Sequence, residues 1–337
     1  MPQRPVSVMT RCGLVADAGG TNVRFALVDL ESGGTGAVRS PRKYVSRQYP
    51  GIADAARAYL REHAGEGTPS AAVIAVAGPV SGGAISMTNL GWRFSEGGLG
   101  EALGIARVRL INDFEAIAHA VPVLARNDVR EVGDVRAPPA EERETVAIVG
   151  PGTGLGVGGF VKEMGRITPL VTEGGHSDFA PNDEVEIELL KFVRRRHGHA
   201  SAERLLSGPG LVTIYEALKT IEGNDAETID AHAITERALS DPDGFCAKVL
   251  SRFCAMLGSF AGDVALMMGA RHGVMLAGGI LPAVADFFAA SRFRGRFEAK
   301  GRFEGYMKAI PTRLIVQEFA GLIGAAARLR AMDRAGG

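Results

Sequence analysis

Two glycine-rich stretches of this chain carry residue types able to hold a phosphate. In Asp17-Ala-Gly-Gly-Thr-Asn22, Gly19 and Gly20 leave room for an anion to reach backbone N–H groups, and Thr21 and Asn22 can add side-chain donors. Asp17 stands before them as a carboxylate suited to Mg²⁺, an ion that takes carboxylate, water and phosphate oxygens together. A plain hairpin turn also uses glycine, so this segment alone fits a bare chain reversal equally well. The second stretch is Gly150-Pro-Gly-Thr-Gly-Leu-Gly156, with Gly152, Thr153 and Gly154 at its centre.

Two further clusters could do chemistry on a bound ligand. The Asp113 carboxylate, beside Asn112, could accept a proton from a hydroxyl as that hydroxyl attacks a phosphoryl group. Asn and Asp are also favoured helix caps, which is the bland reading of the same pair. Glu173-Gly-Gly-His176 sets an acid and an imidazole around two glycines, in a segment without helical spacing that reads as a rigid loop. Such a pair suits a polyhydroxylated ligand, whose neighbouring groups both donate and accept. Zinc is disfavoured, because no nearby cysteine or second histidine pair completes a ligand set.

Other motifs fall away on context. Gly154, Gly156 and Gly159 have the spacing of a dinucleotide fingerprint, but that motif opens a helix, whereas Val157 to Lys162 continues as a β-type run. There is no Gly-x-x-x-x-Gly-Lys-Ser/Thr P-loop. The basic run Arg194-Arg-Arg-His197 ends an amphipathic helix on its solvent side, where the helix dipole favours cations. Cys246 and Cys254 lie in a helix-like run as core side chains.

The elements that must position these residues follow from pattern. Leu14 to Ala16 and Val23 to Val28 read as strands around the first turn, Val146 to Val149 and Val157 to Lys162 as strands around the second. Val73 to Ala77 is a strand ending at Gly78, Val108 to Ile111 one ending at Asn112, and Val274 to Ala277 one ending at Gly278-Gly279. Helices are predicted over Ala53 to His63, Phe114 to Val121, Glu184 to His197 with Asn182 or Asp183 as cap and Gly198 as stop, and Phe245 to Met268. Asp134 to Glu144 reads as a surface loop or domain boundary. The recurrence of hairpin, strand and glycine pair suggests two related halves.

Composition limits the class of partner. At 337 residues the chain exceeds one ordinary core, so two lobes with a ligand cleft between them are expected. With 38 basic and 38 acidic side chains, no global field steers it to nucleic acid or an anionic membrane. Met1 to Cys12 reads as a loose tail without a signal-peptide run, and Gly273 to Ala290 is broken by Pro282 and Asp286, against a membrane span. The three cysteines form no Cys-x-x-Cys pair and read as reduced and cytoplasmic.

Taken in order, the motifs Asp17 to Asn22, Leu110-Ile-Asn-Asp-Phe-Glu115, Gly152 to Gly156, Glu173 to His176 and Leu276-Ala-Gly-Gly-Ile280 make the chain resemble the bacterial ATP-dependent glucokinases. Ser201-Ala-Glu-Arg-Leu-Leu-Ser-Gly208 and Gly301-Arg-Phe303 resemble their proteobacterial branch. The resemblance implies an α/β, two-lobed actin-like ATPase (ribonuclease H-like) fold of the hexokinase, actin and heat-shock ATPase superfamily. The corresponding domains would be a small one, 1–123 plus 315–337, and a larger one, 124–314.

By the same resemblance, the chain would transfer the γ-phosphoryl group of MgATP to the 6-hydroxyl of glucose. Asp113 corresponds to the family's catalytic base, and Asn112, Glu173, His176 and Glu203 to its glucose-binding side chains. Gly19, Gly20, Thr21 and Asn22 match the first phosphate loop, Gly152, Thr153 and Gly154 the second, and Gly278 and Gly279 the glycine pair near the adenosine. Asp17 matches the carboxylate associated with Mg²⁺, held through water, and a homodimer is implied. A neighbouring group of repressors and kinases carries a cysteine-rich zinc motif after the histidine, which this chain lacks. A sugar-sensing regulator and an actin-like or chaperone ATPase are the rival readings; the short segment before the first strand offers no helix-turn-helix.

Overall fold

The computed structural model describes residues 11–31, 38–87, 89–135, 138–225 and 227–335. They divide into two compact units, the first formed by 1–124 and 317–337, the second by 125–316.

Unit 1 is built on a five-stranded sheet. Its strands are β1 (Cys12–Ala18), β2 (Asn22–Asp29), β3 (Val38–Val45), β4 (Pro69–Val76) and β7 (Arg107–Asn112), and their spatial order is β3-β2-β1-β4-β7. β5 (Ala84–Met87) and β6 (Trp92–Ser95) form a separate hairpin. The β1–β2 and β2–β3 pairs are antiparallel, whereas β4 runs parallel to both β1 and β7. The central strands are apolar on both faces because both faces are covered. Leu14, Ala16, Phe25 and Ile74 face α1 (Ile52–Glu62), which returns Ile52, Ala55, Ala56 and Tyr59 at helical spacing. Val15, Val28 and Val73 face the C-terminal helix, Ala320–Ala335, through Leu322, Ala325 and Leu329. α2 (Glu96–Leu103) is capped by Ser95 and ends on Gly104 in the left-handed region; α3 (Asp113–Ala120) begins directly where β7 stops. The C-terminal helix meets α3 at Gly324, where a Cβ would lie 1.7 Å from the Ala116 carbonyl oxygen. Only glycine allows the two backbones this close.

Unit 2 repeats the plan. Its strands are β8 (Val129–Val132), β9 (Arg143–Pro151), β10 (Leu155–Glu163), β11 (Arg166–Thr172), β12 (Val274–Leu276) and β13 (Thr312–Ile315), in the order β11-β10-β9-β12-β13-β8. From β11 to β13 the order and strand directions match those from β3 to β7 in unit 1, with β8 added antiparallel at the edge. The expected relation between the halves is therefore one of topology. α4 (Glu184–His197), α5 (Gly208–Glu222), α6 (Ala231–Ser240) and α7 (Phe245–Met268) supply most of the helical core. Asp183 caps α4 and Gly198 ends it, as the sequence predicts, and Arg194 to His197 are exposed. α7 is long and apolar enough by composition to cross a membrane, but 78% of its apolar window is buried within the protein. All three cysteines are free and buried.

Several boundaries differ from expectation. Most of the N-terminal tail lies outside the described residues, but Cys12 is the buried first residue of β1 and Arg11 pairs with Asp333 of the C-terminal helix at 2.9 Å. Pairing with β2 and β4 extends order to that point. The Asp134 to Glu144 segment is shorter as a loop, because Arg143 and Glu144 already pair with Glu163 and Lys162 in β9 and β10; residues 136 and 137 lie outside the described residues. The second glycine turn shrinks to residues 152–154, since Pro151 pairs with Leu155. The segment read as a rigid loop without helical spacing contains a single 3-10 turn, Gly174–His176, closed by the His176 N–H donating to the Glu173 carbonyl at 3.0 Å.

Candidate active-site loops

In unit 1, Asp17, the first glycine turn and Asn112-Asp113 lie at the carboxyl ends of the parallel strands β1, β4 and β7, where α/β sheets place ligands. The strand ends are tied together. The Ala77 N–H donates to the Ala18 carbonyl at 3.0 Å, and the Asn112 Nδ2 donates to the Gly78 carbonyl at 3.1 Å. The turn is closed by the Gly19 N–H on the Asn22 carbonyl at 2.9 Å and steadied by the Ser46 N–H on the Thr21 carbonyl at 3.0 Å.

The glycines of this turn are not demanded by the turn. Neither Gly19 nor Gly20 has positive φ, and a Cβ on either would meet nothing nearer than 3.5 Å. An L-residue would be accommodated at both, so hairpin geometry does not account for them. What a side chain would obstruct is approach from outside, which is the requirement of an anion seeking backbone N–H donors. Gly152 and Gly279 behave alike: neither has positive φ, and nothing lies within 4 Å of a built Cβ. Gly154 and Gly278 differ, because the fold itself requires them. At Gly278, φ is +87° and a Cβ would sit 2.3 Å from the Pro151 carbonyl oxygen, so this glycine lets the end of β12 press on the end of β9.

Asn112 is the helix cap of the bland reading. Its Oδ1 accepts from the N–H of Phe114 at 2.8 Å and of Glu115 at 3.4 Å, fixing the start of α3. The cap leaves Asp113 as the first helical residue, half-buried, with its Oδ1 accepting from the Phe114 N–H at 3.0 Å. Capping and catalysis are thus compatible here, since the cap sets the direction from which Asp113 projects. Asn112 retains a second amide N–H for a ligand. Two residues along α3, burial pushes the Glu115 carboxyl up, opposed by Arg328 and Arg109. Burial, joined by the Arg328 charge, pushes His119 down to about 4. His119 is therefore neutral at pH 7, and its 4.0 Å approach to Glu115 is not an ion pair.

Asp17 stands opposite Arg24 in the β1–β2 register, with Arg24 Nη1 at 3.5 Å from its Oδ2. Burial pushes the Asp17 carboxyl above the usual range, and Arg24 opposes the shift. Gly321 of the C-terminal helix packs on it: a Cβ there would be 2.8 Å from the Asp17 Oδ2. Among the described residues no three His, Cys, Asp or Glu side chains gather into a metal-binding group. Asp17 alone suits an ion that arrives with phosphate and water ligands of its own.

In unit 2 the second turn, the Glu173 to His176 turn and Glu203 come together around the start of β10. The Glu203 Oε2 accepts from the Leu155 N–H at 2.9 Å, and its Oε1 is 3.9 Å from the His176 Nδ1. A Cβ on Gly175 would be 1.9 Å from the Leu155 carbonyl oxygen, which holds the 3-10 turn against the same residue. The Gly208 N–H donates to the Gly152 carbonyl at 2.8 Å, joining the loop to the start of α5. Ser207 caps α5 through the Gly210 N–H and donates its Oγ to the Glu203 carbonyl at 2.8 Å. A cavity of about 540 Å³ opens beside this group, with Thr153, Glu203 and Ser207 in its wall. The Glu173 side chain is exposed, with only its backbone engaged in the turn.

Two positioning partners carry no site role in the sequence motifs. Arg24 could have been found by counting the hairpin outward, since Ala18 opposite Val23 places Asp17 opposite Arg24. Ser207 carried a helix-start signal, a Ser two residues before Pro209.

Comparison with known proteins gives one family. The family model described as Glucokinase matches residues 14–332. A glucokinase of Caulobacter sp. (strain K31) is 47% identical over 324 residues, 96% of each chain. One from Klebsiella pneumoniae (strain 342) is 44% identical over 322 residues, covering 96% of this chain and 98% of that one. Among solved structures, the glucokinase of an Antarctic psychrotroph superposes with a TM-score of 0.82 at 36% identity, over 95% of this chain and 99% of the other. A ROK family glucokinase from Streptomyces griseus, solved with glucose and AMPPNP, shares the fold at 20% identity and a TM-score of 0.65, over 95% of this chain and 99% of its own.

Proposed function

Since this chain belongs to the glucokinase family and has the actin-like ATPase fold, we propose that Asp113 is the base of its reaction and that the glycine turns hold the donor's phosphates. The protein is an ATP-dependent glucose kinase. The reacting group is the 6-hydroxyl of glucose, and the products are glucose 6-phosphate and ADP. The observation that carries the residue assignment is the placement of Asp113. It is fixed by the Asn112 cap at the same strand ends as Gly19 and Gly20, glycines the fold does not need for itself.

Asp113 accepts the hydroxyl proton as the oxygen attacks the γ-phosphorus, late in a loose transition state. Backbone N–H groups of the two turns, other than those of Gly19 and Gly152 that close them, meet the phosphate oxygens, where charge builds as the bond to the leaving ADP breaks. Asn112, Glu173, His176 and Glu203 receive the sugar hydroxyls, and Gly278 and Gly279 leave room for the adenosine. Mg²⁺, carried by the nucleotide and held through water by Asp17, would neutralise part of that charge. The enzyme acts in the cytoplasm, in keeping with its buried free thiols, and as a homodimer, which light scattering of the purified chain tests.

The test of the reading is Asp113→Ala, measured by release of glucose 6-phosphate from glucose and MgATP. Transfer falls by about 10²–10⁴-fold or more, while binding of a non-hydrolysable ATP analogue stays within a few-fold of wild type. An active Asp113→Ala enzyme removes Asp113 from the role of base; a wild-type chain that makes no sugar phosphate removes the reading as a whole.

A further inference from the structure

The two oxygens of the Glu203 carboxylate face different parts of the site. Oε2 accepts from the Leu155 N–H at 2.9 Å, at the exit of the second phosphate turn. Oε1 lies 3.9 Å from the His176 Nδ1, too far for a hydrogen bond. One hydroxyl oxygen can bridge such a gap, at about 2.8 Å from each side. The carboxylate also fills the space above the turn, for a Cβ on Gly154 would come within 2.4 Å of Oε2. Gly154 is therefore glycine because Glu203 is there.

The backbone around Glu203 grips both loops as well. The Ala202 N–H donates to the Ser177 carbonyl at 2.8 Å, next to His176. Further along, the Gly208 N–H donates to the Gly152 carbonyl at 2.8 Å, and Ser207 anchors the Glu203 carbonyl. Residues 201–208 form a strap from the turn that carries His176 to the turn that carries Thr153.

We infer that Glu203 is a positioning residue which couples the two substrates: a sugar hydroxyl on Oε1 and His176 fixes the carboxylate, and the fixed carboxylate holds the Gly152–Gly154 turn in its phosphate-binding form. The inference rests on the proposed contact between Glu203 and glucose. Without sugar, Oε1 has no partner within hydrogen-bond reach at His176, so the carboxylate is freer to swing and the Leu155 N–H is held less constantly. Occupancy by sugar then makes the turn cheaper to order for the nucleotide. By linkage, the nucleotide tightens sugar binding by the same factor.

Titration calorimetry of the full-length protein tests this, with glucose alone, with a non-hydrolysable ATP analogue alone, and with the analogue in saturating glucose. In the wild type, glucose tightens the analogue by about fivefold or more, the lower end of ordinary coupling between sites. Gly154→Ala drives a methyl group against Oε2 and parts the Glu203 carboxylate from Leu155, while His176 and Glu173 keep their places. Its glucose affinity falls as Oε1 is displaced, so the analogue is measured at glucose concentrations that saturate the variant; the tightening falls below about twofold, and kcat drops at least tenfold, in line with the cost of misplacing reacting groups. Glu203→Gln keeps an oxygen for the Leu155 N–H but loses the anionic acceptor, so it weakens glucose and leaves the analogue alone unchanged. Should Gly154→Ala fail to fold, Glu203→Asp, which withdraws the carboxylate by one methylene without crowding, must lose the tightening instead. A wild type that binds and phosphorylates glucose without tightening the analogue, or a folded Gly154→Ala that retains the full tightening, overturns the coupling alone. A wild type that neither binds nor phosphorylates glucose overturns the functional reading beneath it.

Discussion

Replacing Gly324 by alanine separates the positioning of Asp113 from the chemistry of Asp113. Gly324 lies in the C-terminal helix, and its ideal Cβ would be 1.7 Å from the Ala116 carbonyl oxygen, 2.5 Å from the Ala116 carbonyl carbon and 3.1 Å from the Ala120 nitrogen. All three are backbone atoms of α3, so no side-chain rotation relieves the contact. Restoring an ordinary carbon–oxygen separation of about 3.3 Å requires the helices to part by roughly 1.5 Å. Overpacking of this kind costs about 1–3 kcal/mol and occasionally more, and the helix preference of alanine over glycine returns about 1 kcal/mol. With only backbone to yield, the cost lies at the upper end of that range and the expected net loss is about 2 kcal/mol, read as a lower urea midpoint at unchanged slope. Asp113 is less than one turn upstream of Ala116 on the displaced helix. A shift near 1 Å at a reacting group costs on the order of 100-fold in rate, so kcat for glucose phosphorylation falls about 10- to 100-fold although no substrate-facing atom has changed. Gly295→Ala is the control, because nothing lies within 4 Å of a Cβ there; it is neutral or slightly stabilising. A Gly324→Ala protein with wild-type stability and kcat would refute the claim that this helix contact sets α3.

At Gly278, alanine meets both a left-handed φ of +87° and a Pro151 carbonyl 2.3 Å away. Urea melts should register a loss of about 2–4 kcal/mol, and calorimetry a weaker ATP analogue with glucose affinity retained. His119 makes stability depend on pH. Its folded pKa, about 4, lies below the ordinary 6.5, so its contribution is complete above 6.5 and is lost as pH falls through about 4. Between pH 7.5 and 4.5 the wild type should lose on the order of 2 kcal/mol through this group, and His119→Phe should lose correspondingly less. Parallel stability profiles for the two proteins would exclude His119 as the cause.

What was legible in the sequence follows from which strands are buried. β1, β2, β4, β9 and β10 are covered on their faces and read as apolar runs, and α4 and α7 have caps or glycine stops that fix their ends. β3 and β11 are edge strands that carry Pro41 and Pro169 among charged and polar residues, a composition that keeps edges from pairing further and hides them from a hydrophobicity reading. β8 is a four-residue strand with two charges, and β13, also four residues, is too short to show a period. The glycine turns and Asn112-Asp113 were visible because chemistry and local structure coincide in adjacent residues. Glu203 was named only through family likeness. Its place beside Gly154 and His176 depends on a chain crossing dozens of residues away, which local pattern does not encode.

The C-terminal helix, described above as one face of the unit 1 core, also sets an order of events during synthesis. Residues 125–316 are contiguous and can bury their core as soon as they leave the ribosome, for domains fold as units. The sheet made from residues 12–112 emerges earlier, yet the Val15, Val28 and Val73 face stays bare until Leu322, Ala325 and Leu329 are made. The nascent chain therefore finishes its middle before its beginning, and the half that carries Asp113 matures only once residues 320–335 have been made. A chain stalled before residue 320 would leave the Val15, Val28 and Val73 face, an apolar sheet surface, open to chaperones and proteases.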